Sequence, residues 1–105
     1  MRESVFQARL VKSIKKRFPG CVVFKTDPTQ IQGFPDLLIL FGKTWATLEC
    51  KKSASASHRP NQGYWVNRLN EMSFSAFVYP ENSKEVLDAM ERSFKGFSEW
   101  VTCAV

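Results

Sequence analysis

Apolar residues recur along this chain with two periods, and the switches between them predict its elements. Phe6, Leu10, Ile14 and Phe18, with Val11 beside them, lie at helical spacing, so Glu3 to Phe18 reads as an amphipathic helix. Arg9, Lys12, Lys15, Lys16 and Arg17 fill its other side. They can serve as a solvated face whose C-terminal cluster complements the helix dipole, or Lys15 to Arg17 can touch a polyanion. Pro19-Gly20 stops the helix. Cys21 to Lys25 is then a short strand, and Thr26 to Gly33 is a polar loop. Leu37-Leu38-Ile39-Leu40-Phe41 is an apolar run of buried-strand type, Phe41-Gly42-Lys43-Thr44 is a turn, and Thr44 to Lys51 returns as the next strand.

After Lys51 the pattern breaks. Lys52-Ser53-Ala54-Ser55-Ala56-Ser57-His58-Arg59 is small, polar and basic, which suits either a solvent-exposed connector or a mobile loop beside an active face. Arg59-Pro60-Asn61-Gln62 opens a second helix with Trp65, Val66 and Leu69 inward. Ser73 to Tyr79 alternates as a fourth strand through Phe74, Ala76 and Val78, and Pro80 ends it. A last helix runs from Ser83, its expected N-cap, to Phe94, with Val86, Leu87, Met90 and Phe94 inward. The segment from Lys95 to Val105 carries Phe97, Trp100 and Val101, apolar enough to predict packing on the domain or on a partner chain.

The order α-β-β-β-α-β-α gives three strands in a meander and a helical crossover to a fourth, which should lie parallel to the third. The expectation is an α/β fold with a central four-stranded mixed sheet flanked by helices, forming one domain over residues 1–105. Nine Phe, three Trp and two Tyr exceed what a minimal core requires, so some rings are expected at a subunit contact or a nucleic-acid surface. The net charge of +5 suits a polyanionic partner and also ordinary solubility. Three cysteines, Cys21, Cys50 and Cys103, show no Cys-x-x-Cys spacing, which favours reduced thiols over a zinc site with His58. No stretch reaches membrane-spanning length and the N-terminus lacks a signal-type apolar region, so the expected location is intracellular, cytoplasmic or nucleoid-associated, with no membrane partner.

The chemistry concentrates at Gly33-Phe34-Pro35-Asp36 and, thirteen positions after Asp36, at Glu49-Cys50-Lys51. Two antiparallel strands can hold Asp36 and Glu49 side by side. The two-residue strand period puts Glu49 and Lys51 on one face and Leu48 and Cys50 on the other. Two hard carboxylate ligands with a fixed cation suit a divalent metal and hydrolysis of a phosphodiester. The backbone carbonyl of Cys50, between them, is a further expected ligand. Lys51 either neutralises the acid pair or stabilises charge developing on phosphorus. Lys52 points away and is expected to be structural or to contact DNA, as is Arg59.

These residues resemble the PD-(D/E)XK nucleases, and the Gly-Phe-Pro-Asp-Leu and Leu-Glu-Cys-Lys segments, with Glu3 and Gln7 on the first helix and Gln62 opening the second, resemble the VRR-Nuc branch over roughly Glu3 to Phe94. The resemblance implies the restriction-endonuclease-like fold and a Mg²⁺- or Mn²⁺-dependent endonuclease. Asp36, Glu49, Lys51 and Gln62 would be catalytic, Glu3 an outer metal ligand or water anchor, and Lys25 a DNA contact from the preceding strand. It further implies a homodimer acting on branched DNA, in the manner of Holliday-junction resolvases of repair and recombination. The alternative is a catalytically silent DNA-binding or assembly subunit on the same fold.

Overall fold

The first helix, α1 (Glu3–Arg17), buries Phe6, Leu10 and Ile14 along one stripe, as its spacing requires. In the computed structural model, which describes the backbone of residues 1–104 and the side chains of residues 1–96, it is followed by β1 (Val22–Lys25), β2 (Leu37–Phe41), β3 (Thr44–Cys50), α2 (Gln62–Met72), β4 (Phe74–Val78) and α3 (Ser83–Ala104). The sheet order is β1-β2-β3-β4, antiparallel across the first three strands and parallel between β3 and β4. The helical crossover therefore returns the chain as expected.

One sheet face and two helices make the main core. Leu37, Ile39, Ala46, Leu48, Cys50 and Val78 meet Phe6, Leu10, Ile14 and Phe18 of the N-terminal segment and Val86, Leu87, Met90 and Phe94 of α3. Phe18, Phe41 and Phe94 close this core with ring centroids 5.4 to 5.9 Å apart. This cluster lies where β2 ends, opposite the end at which β2 begins beside Asp36.

The other face is divided. Helix α2 packs on β3 and β4, burying Val66 and Leu69, and beneath it the Thr47 and Ser75 hydroxyls satisfy each other at 2.7 Å. Over β1 and β2 the sheet stays open: Val22 and Phe24 are 55% and 56% exposed and Leu40 is 42% exposed. This ring and the two aliphatics are neighbours in the ladder, since Val22 pairs with Leu40 and Phe24 with Leu38.

Two expectations about the last helix are corrected. α3 continues to Ala104 instead of stopping at Phe94. The packing expected for Phe97, Trp100 and Val101 lies outside the described side chains. The N-cap position is held by Asn82, whose carbonyl accepts the first helical N–H, from Val86, while the Ser83 hydroxyl bonds back to the Pro80 carbonyl at 3.3 Å. The asparagine side chain is itself engaged, its Oδ1 accepting from the Tyr79 N–H at 2.8 Å. Among the described residues no helix is long and apolar enough to cross a membrane.

Candidate active site

Strand register creates the site. Leu37 pairs with Leu48, and both point into the core. Asp36, one residue before, and Glu49, one residue after, therefore emerge together on the opposite side at the ladder's end. Thr26 fixes the turn into β2: its N–H donates to the Asp36 carbonyl at 2.9 Å and its hydroxyl to the Pro35 carbonyl at 2.6 Å. Asp36 Oδ2 then accepts the Cys50 N–H at 2.9 Å, spanning the two strands.

Glu49 is only 3% exposed. Its Oε2 accepts from Gln62 Nε2 at 3.1 Å, and its Oε1 is buried with no hydrogen-bond partner. Burial, and then the charge of Asp36 with its carboxyl within hydrogen-bonding reach, push the Glu49 carboxyl up to about 8, against the opposing pull of Lys51. Two carboxylates face each other as acceptors, so the pair lacks either a proton or a cation between them.

Lys51 does not supply that cation directly. Its Nζ donates to Gln62 Oε1 at 2.6 Å and to the Ser57 carbonyl at 3.2 Å. Gln62, at the start of α2, is the hub: its amide oxygen also receives the Arg59 N–H at 2.8 Å while its amide nitrogen serves Glu49. The donors around it dictate this orientation of the amide.

Helix α2 reaches the site because its approach is fixed. Asn61 takes a left-handed φ of 70°, which asparagine tolerates, and Gly33, with φ 84°, packs against it. A Cβ at Gly33 would lie 2.7 Å from the Asn61 carbonyl carbon, so only glycine permits this approach. Phe34 meets Trp65 of α2 at 5.6 Å between ring centroids, binding the Gly33-Phe34-Pro35-Asp36 loop to the helix.

The structure thus brings Asp36, Glu49, Lys51 and Gln62 together. Glu3 stays exposed at the first turn of α1, where its charge still raises the Glu49 and Cys50 acidities' midpoints. Among the described residues no group of three or more His, Cys, Asp or Glu side chains converges as a metal cage. The pair with one orphaned buried oxygen nevertheless fits a hard divalent cation, which takes carboxylate and carbonyl oxygens and keeps several waters. The Cys50 thiol is fully buried in the core, pushed up to about 12 by burial and then by Asp36, with a hydrogen bond from Gln7 opposing. Facing the core, the thiol cannot reach a cation between Asp36 and Glu49, which leaves the Cys50 carbonyl as its donor.

Lys25, Lys52 and Arg59 are all exposed at this end of the sheet: Lys25 pairs with Leu37 beside Asp36, Lys52 follows Lys51, and Arg59 bonds the hub glutamine through its backbone only. The Ser57 carbonyl and the Thr26 clamp were not legible beforehand, because any residue type can offer a carbonyl.

No family model matches the chain, and no curated protein matches it. A solved structure described as a VRR_NUC domain is similar to it, with a TM-score of 0.58, covering 77% of this chain and 92% of that chain at 24% identity. With the α-β-β-β-α-β-α order and the mixed sheet, this shows that the chain shares the fold of that domain, which is restriction-endonuclease-like.

Proposed function

We propose that the protein is a divalent-metal-dependent DNA endonuclease that selects its substrate by structure, cutting phosphodiester bonds in branched DNA such as four-way junctions. The observation that carries this reading is the Glu49 carboxyl, buried beside Asp36 with one oxygen unpartnered and its acidity pushed up to about 8. Such a pair needs a proton or a cation to compensate it, and a divalent ion compensates both acids at once.

Asp36, Glu49 and the Cys50 carbonyl would hold Mg²⁺ or Mn²⁺, with Glu3 anchoring an outer water. Bound there, the ion supplies Lewis acidity toward a phosphoryl oxygen. The chain's own groups do the rest. Lys51, held by Gln62 and the Ser57 carbonyl, offers a fixed cation where negative charge develops. Gln62 keeps Glu49 turned toward Asp36. Lys25, Lys52 and Arg59 suit contacts to the phosphate backbone, which position DNA without reading its sequence.

A homodimer with two sites on one basic face would serve symmetric cutting of a two-fold junction. The open apolar surface of Val22, Phe24 and Leu40 supports self-association. Light scattering at micromolar concentration is expected to give twice the chain mass, and a monomer both free and DNA-bound removes the dimer.

The deciding experiment compares linear, nicked, flapped and four-way DNA with Mg²⁺, Mn²⁺ or Ca²⁺. Cleavage is expected with the first two ions and greatest on four-way DNA, whereas Ca²⁺ supports binding alone. Affinity should fall steeply with salt as phosphate counterions are displaced. Equal cutting of linear and four-way DNA removes structure selection, and binding without cutting under every ion points to a silent DNA-binding subunit.

A further inference from the structure

Residues 52–59 carry no aliphatic side chain larger than alanine, yet three consecutive members of the loop each grip a different part of the site. The Ser57 carbonyl accepts from Lys51 Nζ at 3.2 Å. The His58 ring lies flat on Phe77, with centroids 4.0 Å apart and planes 12° from parallel. The Arg59 N–H donates to Gln62 Oε1 at 2.8 Å. Phe77 is no remote platform, since it is the direct cross-strand partner of Glu49 in the β3/β4 ladder.

We propose that the His58/Phe77 stack is a latch that seats the 52–59 loop on the site, holding the Ser57 carbonyl against Lys51. His58 is then a positioning residue that acts through Ser57 and Lys51. This rests on the reading of Lys51 as the fixed cation of a phosphodiester hydrolase. The physical need is plain: a lysine ammonium sits on a flexible four-carbon stem, and two oxygen acceptors are what hold it in one place. One acceptor, Gln62, is buried in a helix start, whereas the other is a loop carbonyl. The loop's other ties are the Arg59 N–H on Gln62, the Ala56 N–H on the Ser53 carbonyl at 3.2 Å, the Ala54 N–H on Glu81 at 3.5 Å and the exposed Ser53–Ser55 hydroxyl contact at 3.2 Å, none of which packs Ser57 itself against the sheet. The neighbouring ring does so, and a ring is all the geometry asks for, because stacking on Phe77 uses the imidazole face and neither of its nitrogens.

The test uses the full chain with His58→Ala, His58→Phe and Phe77→Leu. His58 is exposed, so His58→Ala should fold and lose no more than a few degrees of Tm, the share of one stacking contact. In the metal-free protein, amide exchange across residues 57–62 and acylation of the Lys51 amine, mapped by mass spectrometry, should both accelerate in His58→Ala and Phe77→Leu. Both should return to wild-type rates in His58→Phe. With DNA and Mg²⁺, kcat should fall about three- to tenfold in His58→Ala, the span set by the strength of an aromatic contact, with KM little changed and recovery in His58→Phe. Unchanged exchange and unchanged Lys51 labelling in His58→Ala overturn the latch, whether or not the protein cuts DNA. Restored exchange in His58→Phe without restored kcat also overturns it, assigning His58 a chemical role instead. A wild-type protein that cuts nothing, but whose loop loosens in His58→Ala, keeps the latch and removes only the nuclease reading.

Discussion

Two clusters in this molecule are built from the same residue types and reach opposite electrostatic outcomes. At the end of α1, Arg17 bonds Asp88 of α3 and also Glu91 at 2.9 Å. The Arg17 hydrogen bond holds the Asp88 carboxyl below the usual range, while bonds from Lys95 and then Arg17 do so for Glu91. Each acid there has a cation on its oxygens. In the candidate site the available cation, Lys51, bonds two neutral oxygens, and Gln62 stands between it and Glu49. Glu49 receives only the neutral Gln62 amide, lies buried beside Asp36, and is pushed the other way, up to about 8. The first cluster ties two helices together. The second leaves two acids facing each other, an arrangement that either a proton or a bound cation relieves.

The largest expected effect breaks the site side of this comparison. If Asp36 and Glu49 hold the ion as proposed, Asp36→Asn or Glu49→Gln should lower cleavage by about 10³-fold or more, since several kcal/mol of charge stabilisation would depend on it. DNA binding should stay within a few fold, as measured by anisotropy beside single-turnover cleavage. Substantial residual cleavage by either purified variant would refute the assigned site.

The stability of the metal-free protein should show the same contrast. For an acid whose folded pKa is raised, the folded state prefers the proton, so its ionisation costs stability increasingly from about pH 4.5 to about pH 8. Thermal melts in chelator should therefore decline in Tm across that interval, and Glu49→Gln should flatten the decline. Magnesium at a hundred times its dissociation constant should add about 2.7 kcal/mol to wild type and much less to the variant. A wild-type profile that is flat in chelator removes the claim that the acid pair is strained.

Gly33→Ala probes how the strained cluster is assembled. The new methyl would collide with the Asn61 backbone and occupy a left-handed φ, at a cost of about 1–3 kcal/mol. Because the collision lies where the Asp36 loop meets α2, cleavage should fall more than chemical denaturation suggests. A variant with wild-type Tm and activity would show that the approach is not needed.

Arg17→Ala should have the smallest effect, since its partners are about a third exposed and solvent-screened pairs contribute little. The acids here have lowered pKa values, so the contribution is present above the ordinary carboxylate range and lost as pH falls through it. A modest Tm drop at pH 7 that shrinks in high salt, with unchanged cleavage, is the expected result.

Much of this was written locally. Strand alternation alone put Glu49 and Lys51 on one face and Leu48 and Cys50 on the other, and the apolar stripe of α1 predicted its buried Phe6, Leu10 and Ile14. Both patterns follow from the two- and 3.6-residue periods of the backbone, which need no partner to be read. The role of Arg17 was not legible, because a basic residue in a last helical turn looks the same whether water or Asp88 faces it. Ser83 looked like a cap, yet the competing Asn82 one position earlier took the place. The loop after Lys51 looked free, and only the fold brought Phe77 beneath His58.

The sequence by itself determined the order of elements, the sheet's polarity pattern and the identity of Asp36, Glu49 and Lys51 where β2 begins and β3 ends, while Gln62 came from the family resemblance alone. Tertiary structure alone decided which carboxylates receive a cation and which face an acceptor, where α2 leaves the sheet open, and how Lys51 is held. Periodicity is a property of neighbours along the chain, whereas compensation of charge and coverage of a surface depend on groups distant in sequence, fixed only when the layers close.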